Sequence, residues 1–226
     1  MHAASTPISE SELRSFIRER LTERVSLEGA RMFEELGIER GAARVDLAVV
    51  HEGLEAFELK SDFDDFGRLH NQIHAYNRVF DRITLVTGSK LSDLALDVMP
   101  RWWGIWSVRR LKNGKLMLKK VRNAAANPGQ DSHSLATLLW REEAAAVLQE
   151  ETGEWPSKRA SRAQLCNSLA TKVQLPSLRR QVAWHLVNRQ LPMRTSSTAP
   201  TARLVSAPSD DWSHHDANCL GFHFPA

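Results

Sequence analysis

The stretch Ala43–Tyr76, which reads ARVDLAVVHEGLEAFELKSDFDDFGRLHNQIHAY, constrains the fold of this chain more than any other. Its first part predicts two strands joined by a three-residue loop, His51–Gly53. Gly53 stands at the third loop position, where such a hairpin needs a left-handed residue. The loop length sets the register, and directly opposed residues share a face of the hairpin. The expected partners are Val50 with Leu54, Ala48 with Ala56, Asp46 with Glu58, and Arg44 with Lys60.

Charged side chains lie at the open end of this predicted hairpin. One face is apolar near the turn and ends in Asp46, Glu58 and Lys60, while the other is apolar almost throughout. A hairpin that is apolar on both faces belongs inside a layered α/β domain, where an unpaired charge is costly. One interpretation is a buried salt bridge between Lys60 and either acid. The other is a metal site, because two carboxylates on adjacent strands supply the hard oxygen ligands that Mg²⁺ or Mn²⁺ prefers.

Lys60 and the next element favour hydrolytic chemistry. Lys60 follows Glu58 by two residues, so it points the same way and can hold or deprotonate an attacking water. Residues 65–80 then follow a helical pattern, on which Gln72 and Tyr76 lie one turn apart and project together. Such a constellation is suited to phosphodiester hydrolysis.

The pattern D-x11-E-x-K followed by Q-x3-Y, on strand, strand and helix, resembles the PD-(D/E)xK nuclease superfamily, in particular its RecB-type branch. The segments ARVDLAVV, FELKSD, AYNRVFDRITLVTG and WWGIW also resemble a small group of standalone bacterial and phage proteins in that superfamily, over residues 10–190. The resemblance implies that Asp46 and Glu58 bind the metal with the Leu59 carbonyl, and that Lys60 positions the water. It further implies that Gln72 and Tyr76 support the geometry of the site.

The superfamily usually adds an acidic residue from its first helix. Residues 24–36 read as a helix, on which Glu35 flanks the apolar face and Glu34 points nearly opposite. We therefore expect Glu35 to be the additional metal ligand, with an ordinary surface glutamate as the alternative. This helical stretch is expected to end at Gly37.

The remaining elements predict an α/β fold with a mixed central sheet flanked by helices, which is restriction-endonuclease-like. A capping box of Ser9 and Glu12 starts the first helix. Strands are expected at 82–87, 103–108 and 115–121, with a helix at 91–99 and a tight turn at Asn113–Gly114. The tryptophans Trp102, Trp103 and Trp106 are expected to be packing anchors rather than base-stacking groups.

Four segments are expected along the chain. They are a nuclease-like core at 1–122, a linker at 123–133, a basic helical subdomain at 134–194 and a disordered tail at 195–226. The helical part has three interpretations: a DNA-reading helix-turn-helix, a plain bundle, or an appendage that grips phosphates without reading sequence, which we favour. Its cations are Lys158, Arg159, Arg162, Lys172, Arg179, Arg180 and Arg189.

Composition sets the remaining expectations. With 42% apolar and 25% charged residues, two distant cysteines and no apolar run that could span a bilayer, the chain is expected in the cytoplasm and away from membranes. The net charge of +3 permits nucleic-acid binding. No ATP-binding loop motif occurs, so cleavage would use metal and water alone, or a larger complex or homo-oligomer would be involved.

These observations lead to one leading hypothesis and two rivals. The leading one is an Mg²⁺- or Mn²⁺-dependent nuclease that acts on DNA, with RNA as the alternative substrate, in DNA repair or defence against foreign DNA. The first rival is a catalytically inactive nuclease-fold module that binds DNA or protein. The second is a sequence-specific regulator that uses the C-terminal helices.

Overall fold

The fold is seen in a computed structural model that describes residues 6–67 and 69–190, without the side chains of His70 and Asn71. Within these residues, six strands form one sheet: β1 (Arg31–Ile38), β2 (Ala43–Val50), β3 (Leu54–Lys60), β4 (Arg82–Gly88), β5 (Gly104–Arg110) and β6 (Leu116–Arg122). The helices there are α1 (Glu10–Glu28), α2 (Leu69–Asn77), α3 (Ser92–Val98), α4 (Ser132–Ala136), α5 (Arg141–Thr152), α6 (Arg162–Lys172) and α7 (Leu175–Asn188). The tail expected to be disordered, 195–226, lies outside the described residues.

The sheet is mixed, and its strands are adjacent in chain order from β1 to β6. The pairs β1–β2, β2–β3 and β5–β6 are antiparallel, whereas β3–β4 and β4–β5 are parallel. Each parallel step needs a crossover, which α2 and α3 supply. The expected mixed sheet flanked by helices is confirmed.

Helices cover both faces of the sheet. On one face, α1 places Leu13, Ile17 and Leu21 in a core cluster with Leu47 and Phe57 of the hairpin. On the other face lies a larger cluster that combines α2, α3 and the C-terminal helices with the opposite side of the hairpin. A hairpin between two such layers must be apolar on both sides, as its sequence is.

The first helix begins where the capping box predicts. The Ser9 hydroxyl accepts from the Glu12 N–H, and the Glu12 carboxylate accepts from the Ser9 N–H. The helix ends at Gly29, which takes the left-handed conformation with φ of 63°.

The helix predicted for residues 24–36 is wrong in its second half. Residues 31–38 form β1, which pairs with β2 from Arg31–Val50 to Ile38–Ala43. The apolar spacing of Met32, Phe33 and Leu36 suits either a helix or a twisted strand, and pairing with β2 decides for the strand. Glu35 therefore lies on a strand and not on the first helix.

The hairpin register predicted from its loop is confirmed through the paired region. Val50 pairs with Leu54, Ala48 with Ala56, and Leu47 with Phe57. Beyond Leu47–Phe57 no further ladder pair joins β2 to β3. The predicted pair of Asp46 with Glu58 is therefore not formed, because the two strands separate at this position.

The C-terminal helices share the core of the sheet. Leu135, Leu165 and Leu178 belong to the same buried cluster as Tyr76 and Ile83. Residues 6–190 consequently fall within one compact unit. The predicted helical subdomain begins with two helices, α4 and α5, separated by Thr137–Trp140.

The segment expected to be a linker is bonded to the sheet layer. The Asn127 side chain donates to the Asn77 and Phe80 carbonyls, at 2.6 and 2.8 Å. The Gln130 side chain donates to the Val79 carbonyl at 2.8 Å. These contacts fasten residues 123–131 across the end of α2.

Across the described chain, no helix combines the length and apolar character needed to cross a bilayer.

Candidate functional site

Glu58 is the centre of a polar cluster on the α2 side of the sheet. It is 2% exposed, and its Oε1 accepts from the Lys60 Nζ at 2.8 Å. Its Oε2 lies 2.8 Å from the hydroxyl of Tyr76. The structure therefore brings Glu58 and Lys60 together, as strand alternation predicts, and adds Tyr76 from the helix above.

Tyr76 is held in place by aromatic packing. Its ring is fully buried, stacks on Trp103 at 6.2 Å and meets Phe80 edge-on at 5.9 Å. Its hydroxyl lies 2.6 Å from the Arg44 carbonyl oxygen and 3.4 Å from the Gln72 Nε2. The predicted one-turn spacing of Gln72 and Tyr76 thus delivers both side chains to the cluster. Trp103 is buried, as expected for a packing anchor.

The environment of Glu58 favours its protonated form. Burial, helped by the negative charge of Asp46, raises the pKa of this carboxyl to about 6, although Lys60 and Tyr76 act in the opposite direction. A like charge has this effect only when it is close. The two acids of the predicted motif therefore act on each other.

Asp46 adjoins the cluster through the backbone and through a cation. Its Oδ2 accepts from the Leu59 N–H at 2.8 Å, and its Oδ1 pairs with Arg14 of α1 at 2.7 Å. Alternation along β2 also shifts here, since Val45 shares a core cluster with Ala48 whereas Leu47 lies in the opposite one. Asp46 thus turns toward α1 at the point where the strands separate.

Arg14 joins the two acids that sequence reasoning chose separately. Its guanidinium pairs with Asp46 and also with Glu35, at 2.9 Å from the Glu35 Oε1. Glu35 takes a φ of 54° inside β1, and its other oxygen pairs with Arg44 at 2.8 Å. Arg44 therefore pairs with Glu35, and the predicted cross-strand pair of Arg44 with Lys60 is not formed. Sequence analysis missed Arg14, whose single signal is its place beside the core residue Leu13.

The side chains offer oxygen atoms of the kind that a divalent cation prefers. Asp46 and Glu58 each carry carboxylate oxygens with further lone pairs, and Gln72 Oε1 is buried with no hydrogen-bond partner among the described residues. Across those residues, no group of at least three His, Cys, Asp or Glu side chains could hold a metal. A cation held by Asp46 and Glu58 would need further ligands from main-chain oxygens or water, as Mg²⁺ sites often have.

Comparison with known proteins places the chain in a family. Residues 3–199 match the family model described as bacteriophage P4 protein cII. The chain belongs to that family. Protein cII of Enterobacteria phage P4 is 32% identical over 85 residues, which are 38% of this chain and 32% of that relative.

The comparison with solved structures gives a protein of unknown function from Silicibacter pomeroyi. It aligns with a TM-score of 0.34 and 15% identity, over 60% of this chain and 89% of that chain. The match to the P4 relative, in contrast, spans only about a third of that protein's length.

Most cations of the C-terminal helices bind partners inside the protein. Arg162 donates to the Leu139 and Thr137 carbonyls, and Arg189, which is largely buried, pairs with Glu143. Arg179 pairs with Asp81 at 2.9 Å and Lys172 pairs with Glu154. The basic composition of this part of the chain therefore reflects internal bonding to a large degree.

Helices α6 and α7 each bury one face against the rest of the protein. Leu169 and Val182 lie fully inside the core shared with the sheet. Plain helical layers pack in this way.

Proposed function

We propose that this protein is an Mg²⁺- or Mn²⁺-dependent nuclease that hydrolyses phosphodiester bonds in DNA. One observation carries the proposal: a buried glutamate, Glu58, bonded to both Lys60 and Tyr76, with the charge of Asp46 acting on it. Perturbed carboxylates held beside a lysine are typical of sites that work on water and metal. The choice of DNA, and of repair or defence as the setting, follows from the resemblance to PD-(D/E)xK nucleases.

Each residue would have a distinct part in the reaction. Asp46 and Glu58 would bind the metal, together with the Leu59 carbonyl, and the metal when bound supplies charge stabilisation at the phosphate. Lys60 would orient the attacking water. Tyr76 keeps the Glu58 carboxylate in one orientation, and Gln72 lies against the Tyr76 hydroxyl. Glu35 would act on this site indirectly, through Arg14.

A cleavage assay with matched variants tests the proposal. Supercoiled DNA, linear DNA and RNA are incubated with Mg²⁺, Mn²⁺ or EDTA. Glu58→Gln and Lys60→Met should each lower the rate by at least about a hundredfold, because each removes a group that meets metal or water. Glu142→Gln and Lys112→Met, both at exposed positions, are the controls and should cut as wild type. Equal rates in all five proteins would refute the mechanism.

A second candidate function is an inactive nuclease-fold module that binds DNA or protein. Internal cations already neutralise both acids, Arg14 at Asp46 and Lys60 at Glu58, which is what a buried structural network looks like. Calorimetry separates the two candidates. A nuclease should give a Mn²⁺ isotherm that Asp46→Asn abolishes, whereas a module of this kind should give none.

A further inference from the structure

The face of the sheet that carries Glu58 and Lys60 continues onto β4. The two strands pair in parallel, with Glu58 beside Leu85 and Lys60 beside Thr87. Paired residues of neighbouring strands point to the same side, and Leu85 lies in the cluster that contains Tyr76. Thr87 therefore stands next to Lys60, at a strand spacing of about 4.8 Å.

The Thr87 hydroxyl is buried and makes no hydrogen bond to the described residues. The residue is 0% exposed, and its Oγ1 has no hydrogen-bond partner among the described residues. Proteins pair nearly all such groups, because an unpaired buried hydroxyl lowers stability. Valine would fill the same space without that cost, so the hydroxyl calls for a partner at this place in the sheet.

Lys60 offers the complementary group. A lysine ammonium has three donors and no acceptor, and the bond to Glu58 Oε1 uses one of them. A threonine hydroxyl can accept from the ammonium or bond to a water beside it. The Gln72 Oε1, also buried and without a hydrogen-bond partner among these residues, belongs to the same cluster through its bond to Tyr76.

We propose that Thr87 is a positioning residue of the Glu58–Lys60 site. Its hydroxyl holds the Lys60 ammonium through the water that Lys60 orients. The catalytic consequence rests on the proposed nuclease function, whereas the water-bridged contact between Thr87 and Lys60 does not. The two can therefore be tested apart.

The catalytic test compares the activities of Thr87→Ser and Thr87→Val. A positioning role and a packing role predict opposite orders for these two activities. Thr87→Ser keeps the hydroxyl and loses a methyl group, and Thr87→Val keeps the shape and loses the hydroxyl. A positioning role predicts that Thr87→Val lowers kcat about tenfold or more with little change in KM, while Thr87→Ser stays within about threefold of wild type. A purely structural role predicts a tolerated valine and a weaker serine, and that order would overturn the proposal. Thr84→Val, a buried threonine of β4 on the opposite face, is the control.

A metal-free double-mutant cycle tests the contact without any activity. Thr87→Val should lower Tm by about 3 °C in wild type and by less than about 1 °C in a Lys60→Met background, since the partner is then absent. If Thr87→Val shifts Tm equally in both backgrounds, or raises Tm in both, the proposed contact is refuted. If Thr87→Val does not fold, Thr87→Cys against Thr87→Ser provides the same comparison, because a thiol bonds weakly.

The two experiments distinguish the ways in which the idea can fail. Wild type that cuts no nucleic acid with Mn²⁺ would refute the nuclease proposal, and the thermal cycle would then decide on Thr87 alone. Wild type that cuts, with Thr87→Val as active as wild type, would refute the positioning role and leave the nuclease in place.

Discussion

The hydroxyl of Tyr76 lies 2.8 Å from the Oε2 of Glu58, between that carboxylate and the Arg44 carbonyl oxygen at 2.6 Å. A phenol has one proton, and a carbonyl oxygen can only accept. When Tyr76 donates to Arg44, Glu58 satisfies the second contact by carrying a proton on Oε2. When Tyr76 instead donates to the ionised carboxylate, its bond lowers the pKa of Glu58, and burial outweighs that effect.

The first prediction is that metal-free stability falls as pH rises through the titration of Glu58. Its pKa is about 6 in the folded protein, against an ordinary value of 4.5. The folded state therefore holds this proton more tightly, so the free energy of unfolding should drop by roughly 2 kcal/mol between these pH values. Urea denaturation across this range measures it. Glu58→Gln should remove this part of the slope, and Glu142→Gln should retain it. A slope unchanged in Glu58→Gln would contradict the assignment.

The second prediction concerns the ionisation of Tyr76. Burial and the nearby Glu58 raise the pKa of this phenol well above its ordinary 10.0. The chain has one tyrosine, so its phenolate absorbance reports this residue alone. The absorbance should appear together with the loss of helical circular dichroism as pH rises. Reversible ionisation near the ordinary value, with the fold intact, would show that the hydroxyl is not buried in the cluster.

The third prediction is that Arg14 competes with a metal for Asp46. Arg14→Met removes the cation that pairs with both Asp46 and Glu35. The local potential becomes more negative, so Mn²⁺ affinity should rise by about tenfold, while metal-free stability should fall because Asp46 loses its cation and Glu35 keeps only Arg44. Calorimetric titration measures the affinity. Arg18→Met, which removes an exposed partner of Glu34 on the same helix, is the control. Weaker Mn²⁺ binding in Arg14→Met than in the control would contradict competition.

The fourth prediction concerns Gly88 at the end of β4. A Cβ there would lie 2.1 Å from the Oδ1 of Asp62, whose Oδ2 accepts from the Ile8 N–H at 2.8 Å. Gly88→Ala must displace Asp62 and break that bond, at a cost of about 1–3 kcal/mol. Gly129→Ala, where a Cβ meets nothing within 4 Å, should cost far less. Chemical denaturation gives both values, and an equal cost for the two substitutions would exclude the clash.

Local sequence signals predicted much of the fold and part of the site. The capping box at Ser9 and the three-residue hairpin loop each fix nearby backbone, and both are present in the structure, although Gly53 does not take the left-handed conformation predicted for it. The turn at Asn113–Gly114 is also present, but Arg110 pairs with Leu116, so its loop is longer than the two residues predicted from the sequence. The pairs Glu58–Lys60 and Gln72–Tyr76 follow from strand and helix spacing alone, so they too could be predicted.

The errors and omissions arose where distant segments compete. Residues 31–38 fit a helical apolar pattern, and only pairing with β2 makes them a strand. The segment 123–131 has a linker composition, and only its bonds to Asn77, Val79 and Phe80 make it part of the layer.

The sequence by itself determined which side chains share a face, because alternation along a strand and the pitch of a helix act over a few residues. It thereby placed Lys60 with Glu58, and Gln72 with Tyr76. Only the tertiary structure decided what those groups meet. Arg14 reaches Asp46 across 32 residues, and Thr87 comes to stand beside Lys60 through the parallel pairing of β3 and β4. Such contacts depend on how layers pack, and packing is a property of the whole chain.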